Sequence, residues 1–427
     1  MNLKWIFYSI HIICFTFISF KRATSESYEL QLVQMLYRHG DRAPILLYPN
    51  DPNEEHVWPD GLGKLTQLGR QQHHNLGHFF RTYYQNFMNS DPSEINVLST
   101  DTARCIESAK SNLATFYPLF EAVEFNKQTS EQQVPIFFIP GKFDQFLGIN
   151  VHCPRYFVEE MRILDDEGIS FYFKHWKMFK YYSNHSGRKI TDWKSAFMLF
   201  DTLSIEKKYN LIVPEWAHKY WSELEEIADS AYHTWLNTDT ILRLRAGPLI
   251  KLMIKKMRLK IEESEPHLKF QVFAAHDSNI AYISNALNLN IRKRPPYCAT
   301  LIFELYRRQK DAYFVRILYL NSTQPETDIG SPHVLSLDGC EEFCPLEYFI
   351  QFTKHLIPED FLRECEIPTS LPEDSRRGID MSSQGVMLTV IEIVAALIIL
   401  TMLCFRFRKF LVRRKNLLKY ASYHLKL

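Results

Sequence analysis

Two apolar runs constrain this chain more than anything else in it. Leu30 to Tyr37 alternates well enough to read as a strand, and it delivers the chain into Arg38-His39-Gly40-Asp41-Arg42-Ala43-Pro44. Phe270 to Ala275 is a second strand-like run, ending in His276-Asp277-Ser278-Asn279. Elsewhere strand-like and helical runs alternate, the pattern of an α/β fold. Ligand sites in open α/β sheets gather at the carboxyl ends of strands, so both motifs are expected to face one crevice. The first loop holds two guanidiniums and an imidazole. Planar guanidiniums grip phosphate oxygens in pairs, which marks an oxyanion site rather than a solvated turn. Gly40 is expected to let the backbone turn tightly beside the imidazole, and Pro44 to stiffen the exit. A His-Asp pair alone would be a helix cap or a turn; its place at the end of a strand gives it weight.

The order and spacing of Arg38 to Pro44 resemble the signature of the histidine acid phosphatases, and His276-Asp277 matches that family's second catalytic element. Trp58-Pro59-Asp60-Gly61 and Leu65-Thr66-Gln67-Leu68-Gly69 are similar to its approach to the next helix. Thr66 is expected to cap that helix, with Leu76, Phe79, Phe80 and Tyr83 on the apolar face. Ser99-Thr100-Asp101, Pro295-Pro296-Tyr297, Glu304-Leu305-Tyr306, Asn321-Ser322-Thr323 and Gly339-Cys340 with Cys344-Pro345-Leu346 follow in the family's order. The resemblance is nearest to the lysosomal, prostatic and testicular acid phosphatases and weaker to the phytases. It implies a mostly parallel central sheet flanked by helices, phosphoglycerate-mutase-like, over residues 26–365. A helical cap is expected at 151–240, a stretch rich in Phe, Tyr and Trp and poor in Gly. Its tryptophans, Trp176, Trp193, Trp216, Trp221 and Trp235, read as core rather than ligand contacts.

The chain ends carry separate signals. Residues 1–25 read as a secretory leader: Lys4, an apolar stretch from Trp5 to Phe20, then Ala23-Thr24-Ser25. Residues 366–385 read as a stalk, and Val386 to Phe405 as one transmembrane helix interrupted by Thr389, Glu392 and Thr401. Eight basic residues and no acidic one follow in 406–427, which places this tail in the cytoplasm of a single-pass type I protein, lysosomal or at the cell surface. The formal net charge of +1 therefore hides a division. Without the tail, the span and the leader's Lys4, Lys21 and Arg22, the remainder has 39 basic against 48 acidic residues, about −9. That balance excludes a nucleic-acid surface and makes the cluster of Arg38 and Arg42 more pointed.

Six cysteines face an oxidising lumen, where disulfides are the default and no zinc-like spacing competes. Resemblance implies Cys153–Cys365 and Cys340–Cys344. The family's remaining bridge is not reproduced, because no cysteine lies near Lys208; Cys105 and Cys298 are expected to pair instead. Asn184 and Asn321 begin glycosylation sequons.

The chemistry that the resemblance implies needs no metal or cofactor. His39 is the expected nucleophile, forming a phosphohistidine that water then hydrolyses. Arg38, Arg42 and His276 are expected to bind the phosphoryl oxygens, and Asp277 to protonate the leaving oxygen. Cations around His39 disfavour imidazolium and keep it nucleophilic in acid. One departure stands out: the arginine that normally precedes Ser-Thr-Asp is Leu98. Arg104 matches a different, later arginine, and whether it or Lys64 substitutes is left open. Two readings follow, a working phosphatase acting on small phosphomonoesters or an inactive relative that binds a phosphorylated ligand or a protein at the membrane. A mutase of the wider clan fits a secreted, disulfide-bearing chain poorly. Relatives form dimers, which implies a homodimer without locating an interface.

Overall fold

The computed structural model describes residues 27–89, 91–118, 134–234, 237–309 and 312–367. Strand β1 (Glu29–Arg38) leads through the first loop to helix α1 (Gln67–Tyr83). Then come β2 (Ile95–Thr100), α2 (Ala103–Phe116) and β3 (Ile136–Ile139). Four helices follow without a strand: α3 (Pro154–Ser186), α4 (Trp193–Lys208), α5 (Trp221–Thr234) and α6 (Asp239–Arg245). Helix α7 (Gly247–Ile261), β4 (Phe270–Ala275) and α8 (Asp277–Ala286) return the chain to the sheet. It closes with β5 (Thr300–Arg308), β6 (Ala312–Leu320), β7 (His333–Leu335), β8 (Cys344–Pro345) and α9 (Leu346–Thr353).

The sheet order is β3-β2-β4-β1-β5-β6-β7, with β8 on β6. Strands β1 to β4 run parallel, as expected, whereas β5 pairs antiparallel with β1, and β6, β7 and β8 continue antiparallel. The sheet is thus mixed rather than mostly parallel. The short β5–β6 connection accounts for that pair, since only antiparallel strands can be joined by so few residues.

Alternation along β1 divides the interior. Val33, Met35 and Tyr37 pack on Leu76 and Phe80 of α1 and Phe116 of α2, while Leu32 and Leu36 join the larger core under α3, α4, α7 and α8. Gln34 is fully buried among these, and its Nε2 donates to Met253 O at 3.0 Å. In α1, Thr66 Oγ1 accepts from Gly69 N, and Leu76 and Phe80 are buried as expected, but Tyr83 is 42 % exposed. Residues 151–234 are largely helical, and Trp193 is buried while Trp176 is exposed. Trp235 lies outside the described residues.

Cys153–Cys365 and Cys340–Cys344 are joined. The expected Cys105–Cys298 pair is not: both are buried free thiols. Cys105, on α2, directs its thiol to Ala275 O at the end of β4, whereas Cys298 precedes β5 and its backbone N–H donates to His39 O, on the far side of β1. The end of the central strand separates them. The expected leader, the expected span at 386–405, the basic tail and nearly all of the expected stalk lie outside the described residues, among which no helix is long and apolar enough to cross a membrane.

Candidate active site

The parallel strands bring the two motifs together. Arg38 is level with Ala275, and Ser99 with Ala274, so the next residues of β1, β2 and β4 emerge at one edge. There the His39 and His276 rings lie 5.5 Å apart at 76°. Gly40 matters for close approach: a Cβ on it would stand 2.4 Å from Gly69 O, so the loop could not rest on the start of α1. The loop is pinned further by α4. Lys208 Nζ lies 2.9 Å from Asp41 Oδ2, and the hydroxyl of Tyr209 donates to Asp41 Oδ1 at 2.6 Å.

His39 has a defined proton. Its Nδ1 is 2.8 Å from Gly40 O, which can only accept, so Nδ1 carries the hydrogen and Nε2 keeps its lone pair. Burial, then Arg104, Arg38, His276 and Arg42, hold its pKa well below the usual histidine range. His276 is lowered to about 3 by burial and Arg104. Its Nδ1 accepts from Arg104 Nη2 at 3.4 Å, leaving Nε2–H directed at Thr100 Oγ1, 3.3 Å away. Cys105 Sγ lies 3.7 Å from the same nitrogen, and burial pushes that thiol up to about 11. It is an inert neighbour rather than a thiolate.

The cations differ in what already holds them. Arg38 Nη2 pairs with Asp277 Oδ2 at 2.9 Å, and Nη1 donates to Pro295 O at 2.6 Å. The Tyr297 ring lies 4.3 Å from its guanidinium carbon. Arg42 donates twice to Asp201 of α4, both at 3.0 Å. Asp277 is pushed upward by burial, but Arg38, followed by His276, Arg294 and Arg42, outweighs this and holds it at about 2, a carboxylate. Arg104 is the contrast. Among the described residues no carboxylate pairs with it; it donates weakly to His276 and to Gly63 O at 3.5 Å, and its Nε, like those of Arg38 and Arg42, has no partner. Burial lowers its pKa, with Arg42 and Arg38 adding to the fall, and Cys105 and Asp277 do not make up for it.

Leu98 lies on β2 in register with Phe273 and Phe137 and packs, partly buried, against the larger core. Lys64 is exposed on a separate cleft beside Trp58. Sequence reasoning therefore placed Arg38, His39, Arg42, His276 and Asp277 in one site but left Arg104 uncounted, gave Thr100 and Tyr297 no role and missed Asp201. Thr100 and Tyr297 both had a signal, lying in the quoted segments Ser99-Thr100-Asp101 and Pro295-Pro296-Tyr297; Asp201 is brought in by tertiary folding of α4 alone.

This geometry can be set beside known proteins. The histidine phosphatase superfamily (branch 2) matches residues 29–320. The chain belongs to that family. It is 31% identical to the lysosomal acid phosphatase of Xenopus laevis over 382 residues, 88% of this chain and 87% of that protein. It is 32% identical to the prostatic acid phosphatase of Homo sapiens over 349 residues, 79% and 88%. Among solved structures the phytase from Citrobacter braakii superposes with a TM-score of 0.61 at 19% identity, covering 80% of this chain and all of that one, which shows a shared fold.

Proposed function

We propose that this protein is an acid phosphatase that hydrolyses phosphate monoesters through a phosphohistidine on His39. The observation that carries this is the imidazole itself. Gly40 O fixes the proton on Nδ1, and burial with the surrounding cations keeps Nε2 unprotonated in acid. Nε2 attacks phosphorus, the bond to the leaving oxygen breaks, and Asp277 supplies that oxygen's proton. Water then attacks the phosphohistidine, with Asp277 taking its proton, and phosphate departs.

In the resting site Asp277 is ionised and tied to Arg38. A phosphate dianion that draws Arg38 to itself removes the main influence holding Asp277 down, and burial then raises its pKa toward protonation at acidic pH. Arg38 and His276 bind the phosphoryl oxygens, as does Arg42 if it exchanges Asp201 for phosphate. Arg104, beside His276, supplies the third cation in place of the arginine that Leu98 replaces.

The alternative is a weakened or inactive relative that binds a phosphorylated ligand or a protein at the membrane. Leu98 in its apolar setting, and the carboxylates already on Arg38 and Arg42, support it. The leader at 1–25, the span at 386–405 and the basic tail support a type I membrane protein with its catalytic part lumenal or extracellular. Asn184 and Asn321 are both exposed, as glycosylation there requires. A homodimer rests on the family resemblance alone. The test is hydrolysis of phenyl phosphate in acid by the full chain, beside His39→Ala and Leu98→Arg. Activity lost with His39 supports the enzyme; a silent protein revived by Leu98→Arg supports the binder.

A further inference from the structure

Beside the paired charges lies a cleft of about 870 Å³, within the range of small-molecule sites. Arg38 and Tyr297 form its inner wall, Asp201 and Lys208 of α4 one side, and the loop between α8 and β5 the outer side. That loop carries three consecutive cations, Arg292, Lys293 and Arg294, and all three line the cleft. The part of the chain between leader and stalk is acidic, so a run of cations at the margin of the site runs against its composition.

Arg294 is held in place. Its guanidinium lies 5.4 Å from the Phe200 ring and 5.7 Å from Phe197, and 4.0 Å from Asp201 Oδ1. It also bears on Asp277 more strongly than Arg42 does. Arg38, which lines the cleft, pairs with Asp277 at 2.9 Å, so the cleft opens beside the group that protonates the leaving oxygen in the reading above. The acids on the cleft offset the loop's charge only in part. Asp201 is taken by Arg42, and Lys208 is taken by Asp41. Glu326 accepts from the neutral Gln72 Nε2 at 2.7 Å and Asp229 lines the same cleft, so two carboxylates stand against the three cations. Arg292 and Lys293 are exposed, and Arg292 Nε donates to the neutral Asn290 Oδ1 at 2.8 Å. No ion pair engages either among the described residues.

We infer that this cleft receives the leaving group of a phosphate monoester bearing a second anionic group, which Arg292, Lys293 and Arg294 select. The inference rests on the phosphatase reading only for which side of the phosphorus the leaving group takes. Cations in a concave setting raise the local concentration of an anion, and salt screens those on the rim.

The test uses two probes that cannot be hydrolysed, so affinity is read whether or not the protein turns over. Calorimetry on the full chain at acidic pH compares benzylphosphonate with 1,4-phenylenebis(methylphosphonate), at about 20 and about 300 mM salt. The bisphosphonate is expected to bind about tenfold tighter at low salt, after allowing for its two equivalent ends, with the advantage shrinking at high salt. Arg292→Glu with Lys293→Glu removes the advantage and leaves benzylphosphonate within about twofold, since both residues are exposed rim charges. Equal affinities in the wild type overturn the inference, as does an advantage that survives the double variant, or a loss shared equally by both probes. Phenyl phosphate turnover is measured in parallel. A protein silent toward it that keeps the bisphosphonate advantage would end the phosphatase reading and not the anion-selecting cleft.

Discussion

Replacing Arg104 with alanine examines how the site manages without the arginine that Leu98 displaces. Arg38 must leave Asp277, and Arg42 must leave a bidentate Asp201, before either can serve phosphate fully. Arg104 has no such competitor among the described residues and stands against His276. A charge-assisted hydrogen bond to a transition-state oxygen is worth about 1.5–3 kcal/mol, so Arg104→Ala should lower kcat/KM by roughly tenfold to a hundredfold. Arg104→Lys should recover part of this, because a point charge remains but the fork is lost. A second readout separates this role from a structural one. After burial, Arg104 is the foremost cause of the lowered His39 pKa, so its removal raises that pKa. The nucleophile must be unprotonated, so the acid limb of kcat/KM moves to higher pH in Arg104→Ala. Leu98→Arg should help little in the wild type and much more in the Arg104→Ala background, a coupling that a double-mutant cycle reads directly. The assay is phenyl phosphate hydrolysis from about pH 3 to 8, spanning the histidine and carboxylate range. A variant within twofold of wild type and with an unmoved acid limb would refute the reasoning.

Three further outcomes are expected. Under denaturing, non-reducing conditions, alkylation and peptide mapping of the described part should find Cys105 and Cys298 as thiols and the other four cysteines in Cys153–Cys365 and Cys340–Cys344; a peptide linking Cys105 to Cys298 would contradict this. Glu206 of α4 is buried against Asp51, Asn53 and Tyr48, and burial with Asp51 raises its pKa from 4.5 to about 8. The folded state therefore binds a proton that the unfolded state releases, so stability is fullest below about pH 4.5 and is lost as pH rises through 8. Melting temperatures should fall across that window in the wild type and fall less in Glu206→Gln, and parallel profiles would count against the shared proton. Gly40→Ala must push the loop off Gly69 O and should cost about 1–3 kcal/mol by thermal unfolding, with activity falling too; a neutral change would show that the contact yields.

Much of the site was legible because its parts are local. Both central strands read from their largely apolar runs, and β1 and β4 end immediately before His39 and His276. Parallel pairing then forces those ends together without further information. The antiparallel seat of β5 on β1 was not legible, since an apolar strand carries the same signal whichever way it pairs. Asp201 was invisible because a lone acid in a helical stretch says nothing of the guanidinium it will meet 159 residues away in sequence. Arg104 could be read but not counted, because helix α2 alone does not show that it turns back toward His276. The cysteines failed for a related reason: composition and compartment fix how many thiols seek partners, but only geometry shows that the end of β1 stands between Cys105 and Cys298.

The account turns on a covalent bond between His39 Nε2 and phosphorus, and that bond can be trapped. The full chain is mixed with phenyl phosphate, quenched in alkali where phosphohistidine survives, and digested for tandem mass spectrometry. The expected result is a phosphoryl group on His39, absent from His39→Ala and released to phosphate during turnover. Turnover with the phosphoryl group on another residue, or steady hydrolysis that His39→Ala leaves intact, would contradict it.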